Sequence, residues 1–100
     1  MSLTTAEKKI LFEIFESISG LNTVWVYGSR VRNSHKKFSD VDLVIDCIPR
    51  LNIKYRLASS LDDSVFPYKV DIVTLDDLRG DFGKEVETTK VLLWRKTQDL

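Results

Sequence analysis

VWVYGSRVRNSHKKFSDVDLVID, residues 24–46, contains two strand-like runs on either side of a glycine-serine turn. The first run is apolar and stops at Gly28-Ser29. Ten residues then separate Ser29 from Asp40, where the second run begins with two alternating carboxylates, Asp40 and Asp42. A backbone turn that can bind phosphate, followed by two acids on a strand, is the arrangement that metal-dependent phosphoryl transfer requires.

The second run, residues 40–46, alternates between an apolar face and a face that carries the acids. The apolar face holds Val41, Leu43 and Ile45, and the other face holds Asp40, Asp42, Val44 and Asp46. Asp40 and Asp42 are then roughly 6.6 to 6.8 Å apart between Cα atoms. Because two like charges this close disfavour each other's ionisation, a divalent cation is needed to stabilise both. Carboxylate oxygens suit magnesium, which takes its other ligands from water and substrate phosphates.

A third carboxylate, Asp71, lies in another strand-like run predicted at residues 68–75. A lone carboxylate in an apolar strand is costly unless it is paired or metal-bound. If this run lies beside the second one, Asp71 shares the face of Asp40 and Asp42. Three carboxylates would then be able to hold two metal ions about 3.5–4 Å apart. Asp46 has the same parity but lies roughly 13 Å beyond Asp42, which excludes it from this cluster.

Gly28, Ser29 and Arg30 follow the first run and precede a predicted helical turn that begins at Ser29 and ends near Asn33. Free backbone N–H groups at a helix N-terminus attract anions, Gly28 permits close approach, and the Ser29 hydroxyl can donate to a phosphate oxygen. The loop that follows is basic and contains Arg30, Arg32, Lys36 and Lys37. Taken alone, each feature also has an ordinary structural explanation, such as an ion pair between Asp71 and Arg30 or Arg32. Their combined order and spacing favours a metal-dependent phosphoryl-transfer site, in which the basic loop offsets the charge of a triphosphate.

The remaining segments predict helices packed on a small sheet. Thr4 and Glu7 fit a capping box before an apolar helical stripe at residues 10–18. A second helix at 51–61 is expected to bury Ile53, Leu57 and Leu61, and residues 84–90 predict a third. Residues 91–94 fit either a last strand or the end of that helix. Because the loop between the first two strands is short for a parallel crossover, we expect an α/β (α+β) fold with a mixed sheet flanked by helices.

The composition describes an ordinary soluble protein. One hundred residues predict a single domain spanning 1–100, and 15 basic residues balance 15 acidic ones. This balance argues against a protein that coats nucleic acid. Cys47 is the single cysteine, which excludes an internal disulfide and favours a reducing compartment. With no signal-peptide or membrane-spanning pattern, the sequence predicts a cytoplasmic location without membrane association.

The joint pattern of Gly28-Ser29, Asp40-Val41-Asp42 and the later Asp71 resembles the nucleotidyltransferase superfamily that includes DNA polymerase beta. Within it, Gly28-Ser29-Arg30 and the segment from Ser39 to Leu43 resemble the minimal nucleotidyltransferases, or MNT proteins, over nearly the whole chain. The resemblance implies the palm-like fold of that superfamily. It also implies that Asp40, Asp42 and Asp71 are catalytic and bind metal, with Gly28, Ser29 and Arg30 binding the nucleotide. Relatives often have glycine at Asn33, and asparagine tolerates the same left-handed conformation.

The resemblance further implies the reaction and the partner. The expected reaction is magnesium-dependent transfer of a nucleoside monophosphate, AMP from ATP, to a hydroxyl, with two magnesium ions. Larger relatives add a domain that binds the acceptor. We therefore expect the acceptor to be a tyrosine of a HEPN-type helical toxin, with this chain as the antitoxin of a hetero-oligomeric pair.

Two alternatives stay open on the sequence alone. The chain could be a non-catalytic antitoxin that occludes its partner, with Trp94, Phe82 or Tyr68 anchoring the interface. Trp94 is equally well explained as a core residue that closes the sheet. Transfer to a small molecule or an RNA end is the other alternative, and the neutral charge makes nucleic acid the less favoured acceptor.

Overall fold

The computed structural model describes residues 3–28, 40–48 and 52–97. In these residues the elements are α1 (Thr5–Ser17), β1 (Leu21–Tyr27), β2 (Val41–Cys47), α2 (Ile53–Asp62), β3 (Val70–Thr74), a 3-10 turn (Leu75–Asp77), α3 (Gly80–Thr89) and β4 (Val91–Arg95). The predicted helical turn that begins at Ser29 lies outside the described residues, as does the basic loop after it. No helix in the described ranges is long and apolar enough to cross a membrane.

The four strands form one sheet in the order β3-β2-β1-β4. β1 is antiparallel to both β2 and β4, whereas β2 and β3 are parallel. The predicted mixed sheet is therefore confirmed, and the first two strands pair without a parallel crossover, as the short loop between them indicates. The ambiguous run at residues 91–94 is a strand, because it pairs with β1 through Trp25 and Leu92.

The main core lies on one face of the sheet, where α1 and α2 pack. It contains Val24 and Val26 from β1, Val41, Leu43 and Ile45 from β2, Ile72 from β3, Leu11 and Phe15 from α1, and Ile53, Leu57 and Leu61 from α2. The apolar faces predicted for the second strand and the second helix are thus confirmed. The Trp94 ring lies 5.5 Å from the Phe15 ring between centroids, so it packs against this core as a residue that closes the sheet.

α1 begins with the predicted capping box. The backbone N–H of Glu7 donates to the Thr4 hydroxyl oxygen at 3.1 Å, and the Thr4 N–H donates to the Glu7 carboxylate at 2.9 Å. These bonds satisfy two of the N–H groups that have no partner within the helix. They fix where α1 starts, and so where its apolar stripe meets the sheet.

The opposite face of the sheet carries the acids and is partly covered by α3. Val44 of β2 and Val86 of α3 are as buried as the main core but are not part of that cluster. Phe82 of α3 packs against Tyr27 of β1, with ring centroids 6.0 Å apart. α3 starts at Gly80, four residues before the predicted start at residue 84. Its first half therefore borders the acidic end of this face.

Candidate active site

Asp42 and Asp71 lie opposite each other on neighbouring parallel strands. They are Cα partners in the β2–β3 ladder, and Tyr27 is the partner of Asp42 on the β1 side. Side chains at paired positions leave the same face of a sheet. The row Tyr27–Asp42–Asp71 therefore crosses three strands, with Asp40 two residues before Asp42, immediately before β2 begins at Val41. The side-by-side arrangement of β2 and β3, which Asp71 needs in order to share a face with Asp40 and Asp42, is therefore present.

These groups act on one another electrostatically. Burial raises the pKa of Asp42, and the charges of Asp71 and then Asp40 raise it further. Burial also raises the pKa of Tyr27, followed by the charges of Asp42 and Asp71. The ion pairs within the described residues, Lys54–Asp77 and Lys90–Glu87, involve none of these acids. The site thus gathers negative charge, and a bound cation would relieve the repulsion.

Gly28 brings the backbone against Asp42. Its φ of +78° is in the left-handed region, and a Cβ at this position would lie 2.7 Å from Oδ2 of Asp42. Glycine is therefore required both by the backbone conformation and by the space beside the carboxylate. The sequence pointed to Gly28 as a turn that approaches phosphate, whereas its contact with Asp42 follows only from the β1–β2 register. Ser29 and Arg30, the other predicted nucleotide ligands, lie outside the described residues.

The acids can be tested as magnesium ligands by their chemistry and placement. Within residues 3–28, 40–48 and 52–97, no three His, Cys, Asp or Glu side chains are gathered closely enough to hold a metal ion as they stand. Asp40 and Asp71 are nevertheless near enough to raise the pKa of Asp42. Carboxylate oxygens are hard donors of the kind that magnesium prefers, and Asp42 and Asp71 leave the same face of the sheet as Cα partners. The donor set therefore fits magnesium.

A small cleft adjoins the acids on the α3 side. It has a volume of about 110 Å³ and is lined by Tyr27, Gly28, Phe82, Glu85, Val86 and Thr89. Sequence reasoning missed it, because Tyr27 appeared only as a strand residue and Phe82 only as an exposed aromatic. A larger cleft of about 310 Å³ lies at the far end of β2 and β3, beside Asp46, and includes neither Asp42 nor Asp71. Size alone does not identify the site here.

Two curated proteins are similar to the chain over most of its length. It is 29% identical over 98 residues to the probable protein adenylyltransferase MntA of Haemophilus influenzae. The matched region covers 96% of this chain and 86% of that protein. It is 34% identical over 87 residues to the protein adenylyltransferase MntA of Thermococcus cleftensis, with 85% and 83% covered.

Solved structures share the fold. A toxin–antitoxin crystal structure with AMP-PNP matches with a TM-score of 0.67 at 19% identity, over 89% of this chain and 73% of that one. A structure of a tri-AMPylated Shewanella oneidensis HEPN toxin in complex with MNT antitoxin matches with a TM-score of 0.55 at 22% identity, over 94% and 74%. At these identities the likeness shows a common fold.

One family accounts for nearly all of the sequence. Residues 8–99 match the family described as polymerase beta, nucleotidyltransferase. The mixed sheet, the flanking helices and the curated relatives agree with that match. The chain therefore belongs to the polymerase beta nucleotidyltransferase family, as an MNT-type nucleotidyltransferase.

Proposed function

We propose that this chain transfers AMP from ATP to a tyrosine hydroxyl of a HEPN-type toxin and so acts as the antitoxin of a pair. The observation that carries the proposal is the placement of Asp42 opposite Asp71, with Gly28 against Asp42. The MntA relatives are protein adenylyltransferases, which supports AMP as the transferred group. The complex of an AMPylated HEPN toxin with MNT antitoxin supports the partner.

In this proposal each predicted site residue has a role. Asp40, Asp42 and Asp71 would hold two magnesium ions, and Gly28, Ser29 and Arg30 would bind the triphosphate. Magnesium, when bound, offsets the charge on the phosphates and on the leaving pyrophosphate. Asp71 also orients the acceptor hydroxyl and takes its proton. Tyr27 does not act as a base, because its raised pKa keeps the phenol neutral near pH 7.

The proposed step is an in-line displacement. The acceptor tyrosine oxygen attacks the α-phosphorus of ATP and forms a new P–O bond. The bond from the α-phosphorus to the bridging oxygen breaks, and pyrophosphate leaves with the electron pair. The phenol proton passes to the Asp71 carboxylate and from there to solvent. The products are an O-AMP-tyrosine and pyrophosphate.

We propose the rest of the setting on the same basis. Residues 1–100 act as one minimal nucleotidyltransferase domain, and the HEPN-type partner supplies the acceptor in a hetero-oligomer. The cytoplasm is the proposed compartment, which agrees with a single unpaired cysteine. Of the anchors predicted for occlusion without catalysis, Trp94 packs against Phe15, whereas Phe82 is 47% exposed.

The test is transfer of label from α-³²P-ATP to the HEPN-type partner in the presence of magnesium. Asp42→Asn and Asp71→Asn should each lose about 100-fold or more of the transfer rate, since carboxylates that hold a catalytic metal contribute several kcal/mol. Asp46→Asn is the matched control, because Asp46 lies on β2 but outside the site. If Asp42→Asn labels the partner as well as Asp46→Asn does, the mechanism is wrong. If Asp42→Asn loses labelling but still neutralises the toxin, occlusion replaces catalysis as the antitoxin function.

A further inference from the structure

We propose that Phe82 is a positioning residue for AMP transfer, because its ring holds Tyr27 and thereby fixes the end of β1 where Gly28 approaches Asp42. This inference rests on the proposed function. It adds a residue of α3 that acts on nucleotide binding through the turn at Gly28 and not by touching the substrate.

The end of β1 is paired with a neighbouring strand on one side alone. Within the described residues, the ladder between β1 and β4 ends at Val26. Tyr27, the next residue, has its strand partner in Asp42 on the β2 side. On the other side, the N–H of Lys90 donates to the carbonyl oxygen of Val86 in α3 at 2.8 Å, so this N–H is not used by β1. Strand pairing therefore holds the residue that leads into the turn from the β2 side only.

α3 supplies a contact on the side that lacks a strand. The rings of Phe82 and Tyr27 meet edge to face, with centroids 6.0 Å apart and an angle of 76° between their planes. The helix is fixed independently of this contact, since Val86, one turn further along the same face, is 1% exposed. Gly83 lets the helix lie close to the loop before it, because a Cβ there would be 2.9 Å from the carbonyl carbon of Leu78. Phe82 thus projects from an anchored helix and can support Tyr27.

The contact reaches the site through Gly28. Tyr27 directly precedes Gly28, and a Cβ on Gly28 would be 2.7 Å from Oδ2 of Asp42. Because the turn and this carboxylate are so close, a movement of Tyr27 changes how the turn faces the acids. When the turn is held less firmly, its binding-competent arrangement is less populated, and the affinity for the triphosphate falls by the same fraction. Loss of the Phe82 ring should therefore raise the KM for ATP, with little change in kcat at saturating ATP.

The small share of Phe82 in the core separates this role from a general effect on stability. Its side chain is 47% exposed and does not belong to the main core cluster. Leu92 of β4 is also 47% exposed, and it is the partner of Trp25, two residues before Tyr27. Leu92→Ala is therefore a matched control for the loss of half-exposed apolar surface near the same strand.

The test measures the binding of magnesium AMP-PNP and of magnesium tripolyphosphate to the chain by isothermal titration calorimetry. Phe82→Ala should weaken both ligands by the same factor, about three- to tenfold, the scale of one aromatic contact. Leu92→Ala should leave both affinities within about twofold, and Phe82→Tyr, which keeps the ring, should bind both ligands as the wild type does. In a Tyr27→Ala background, Phe82→Ala should have no further effect, because the two rings act as a pair. In the transfer assay, Phe82→Ala should raise the KM for ATP by the same factor and leave kcat within about twofold. Phe82→Leu, which keeps an apolar side chain, guards against a folding defect and should show part of the same loss.

Three outcomes would overturn the proposal. If the wild type binds AMP-PNP but not tripolyphosphate, or if Phe82→Ala weakens AMP-PNP alone, the effect does not act on the phosphates. If Phe82→Ala weakens neither ligand more than Leu92→Ala does, the ring contact does not hold the turn. If the losses from Phe82→Ala and Tyr27→Ala simply add, Phe82 does not act through Tyr27. Failure of the proposed function is seen separately, because a wild-type chain that binds AMP-PNP without labelling the HEPN-type partner refutes the transfer and leaves the binding results unchanged.

Discussion

Replacing Gly28 with alanine should damage activity far more than stability. The residue has a φ of +78°, and an added Cβ would lie 2.7 Å from Oδ2 of Asp42. The atom that must move is the end of a side chain, so the fold can accommodate the methyl group by displacing the carboxylate. That displacement removes Asp42 from its place opposite Asp71.

The two effects can be estimated separately. Holding alanine in the left-handed region costs about 1–2 kcal/mol. For a chain of this length, each kcal/mol lowers the melting temperature by about 4–8 °C. Ordinary contact begins at 3.4 Å, so the Asp42 oxygen must retreat by about 0.7 Å. A misplacement approaching 1 Å costs on the order of 100-fold in rate. We therefore expect kcat/KM for AMP transfer to fall about 100-fold in a protein that remains folded at 25 °C.

Gly80→Ala is the matched control for this experiment. Gly80 has a φ of +60°, and an added Cβ there meets no atom within 4 Å. It should therefore lose a similar amount of stability, measured by thermal unfolding, with AMP transfer to the HEPN-type partner nearly unchanged. Equal transfer rates for Gly28→Ala and Gly80→Ala would show that the close approach of Gly28 to Asp42 has no part in catalysis.

Two further predictions concern stability. The raised pKa of Asp42 means that the folded protein keeps this proton at pH values where the unfolded chain has lost it, so its contribution to stability falls as pH rises through the folded pKa. With EDTA present, Asp42→Asn should have a higher melting temperature than wild type at pH 7. The difference in melting temperature should shrink below pH 3.8, the ordinary pKa of the carboxyl group. Equal melting temperatures at pH 7 would show that the charge of Asp42 does not destabilise the fold. Thr4→Ala should lower the free energy of unfolding, measured by urea denaturation, by about 1 kcal/mol, because the α1 cap is lost. Thr5→Ala is the control and should cost less, because Thr5 lies outside the capping box. Equal losses would mean that the cap does not supply this stability.

The parts of the fold that depend on local sequence could be predicted. The capping box of Thr4 and Glu7, the buried side of α2 and the two faces of β2 all follow from spacing within a few residues. The end of β3 was less well predicted, because Leu75 starts a 3-10 turn in which Asp77 accepts a hydrogen bond from the Thr74 N–H. The strand therefore ends one residue before the predicted limit at 75.

The parts that depend on distant partners could not be predicted with the same certainty. Residues 91–94 form a strand because they pair with the edge of β1. The four residues by themselves do not indicate this pairing, since strand formation depends on the neighbouring strand. The early start of α3 at Gly80 was missed, because Gly80 and Gly83 have low helix propensity and tertiary packing outweighs it. Tyr27 and Phe82 meet only once α3 crosses the acidic face. The cleft is therefore a product of topology.

The separation of the two sheet faces explains how such a small chain can hold a charged site. The main core is built on one face, where β2 contributes Val41, Leu43 and Ile45, and it makes no use of the acids between them. The acidic face can then hold Asp42 beside Asp71 at a cost that comes first from burial and then from charge repulsion, as the raised pKa of Asp42 indicates, without weakening the packing of α1 and α2. A cation that binds these acids removes that cost only in the folded state, so ligand binding and stability are linked at Asp42. Under the proposed function, the carboxylate whose pKa is raised by burial and by its charged neighbours is thus also one of those that would bind the metal.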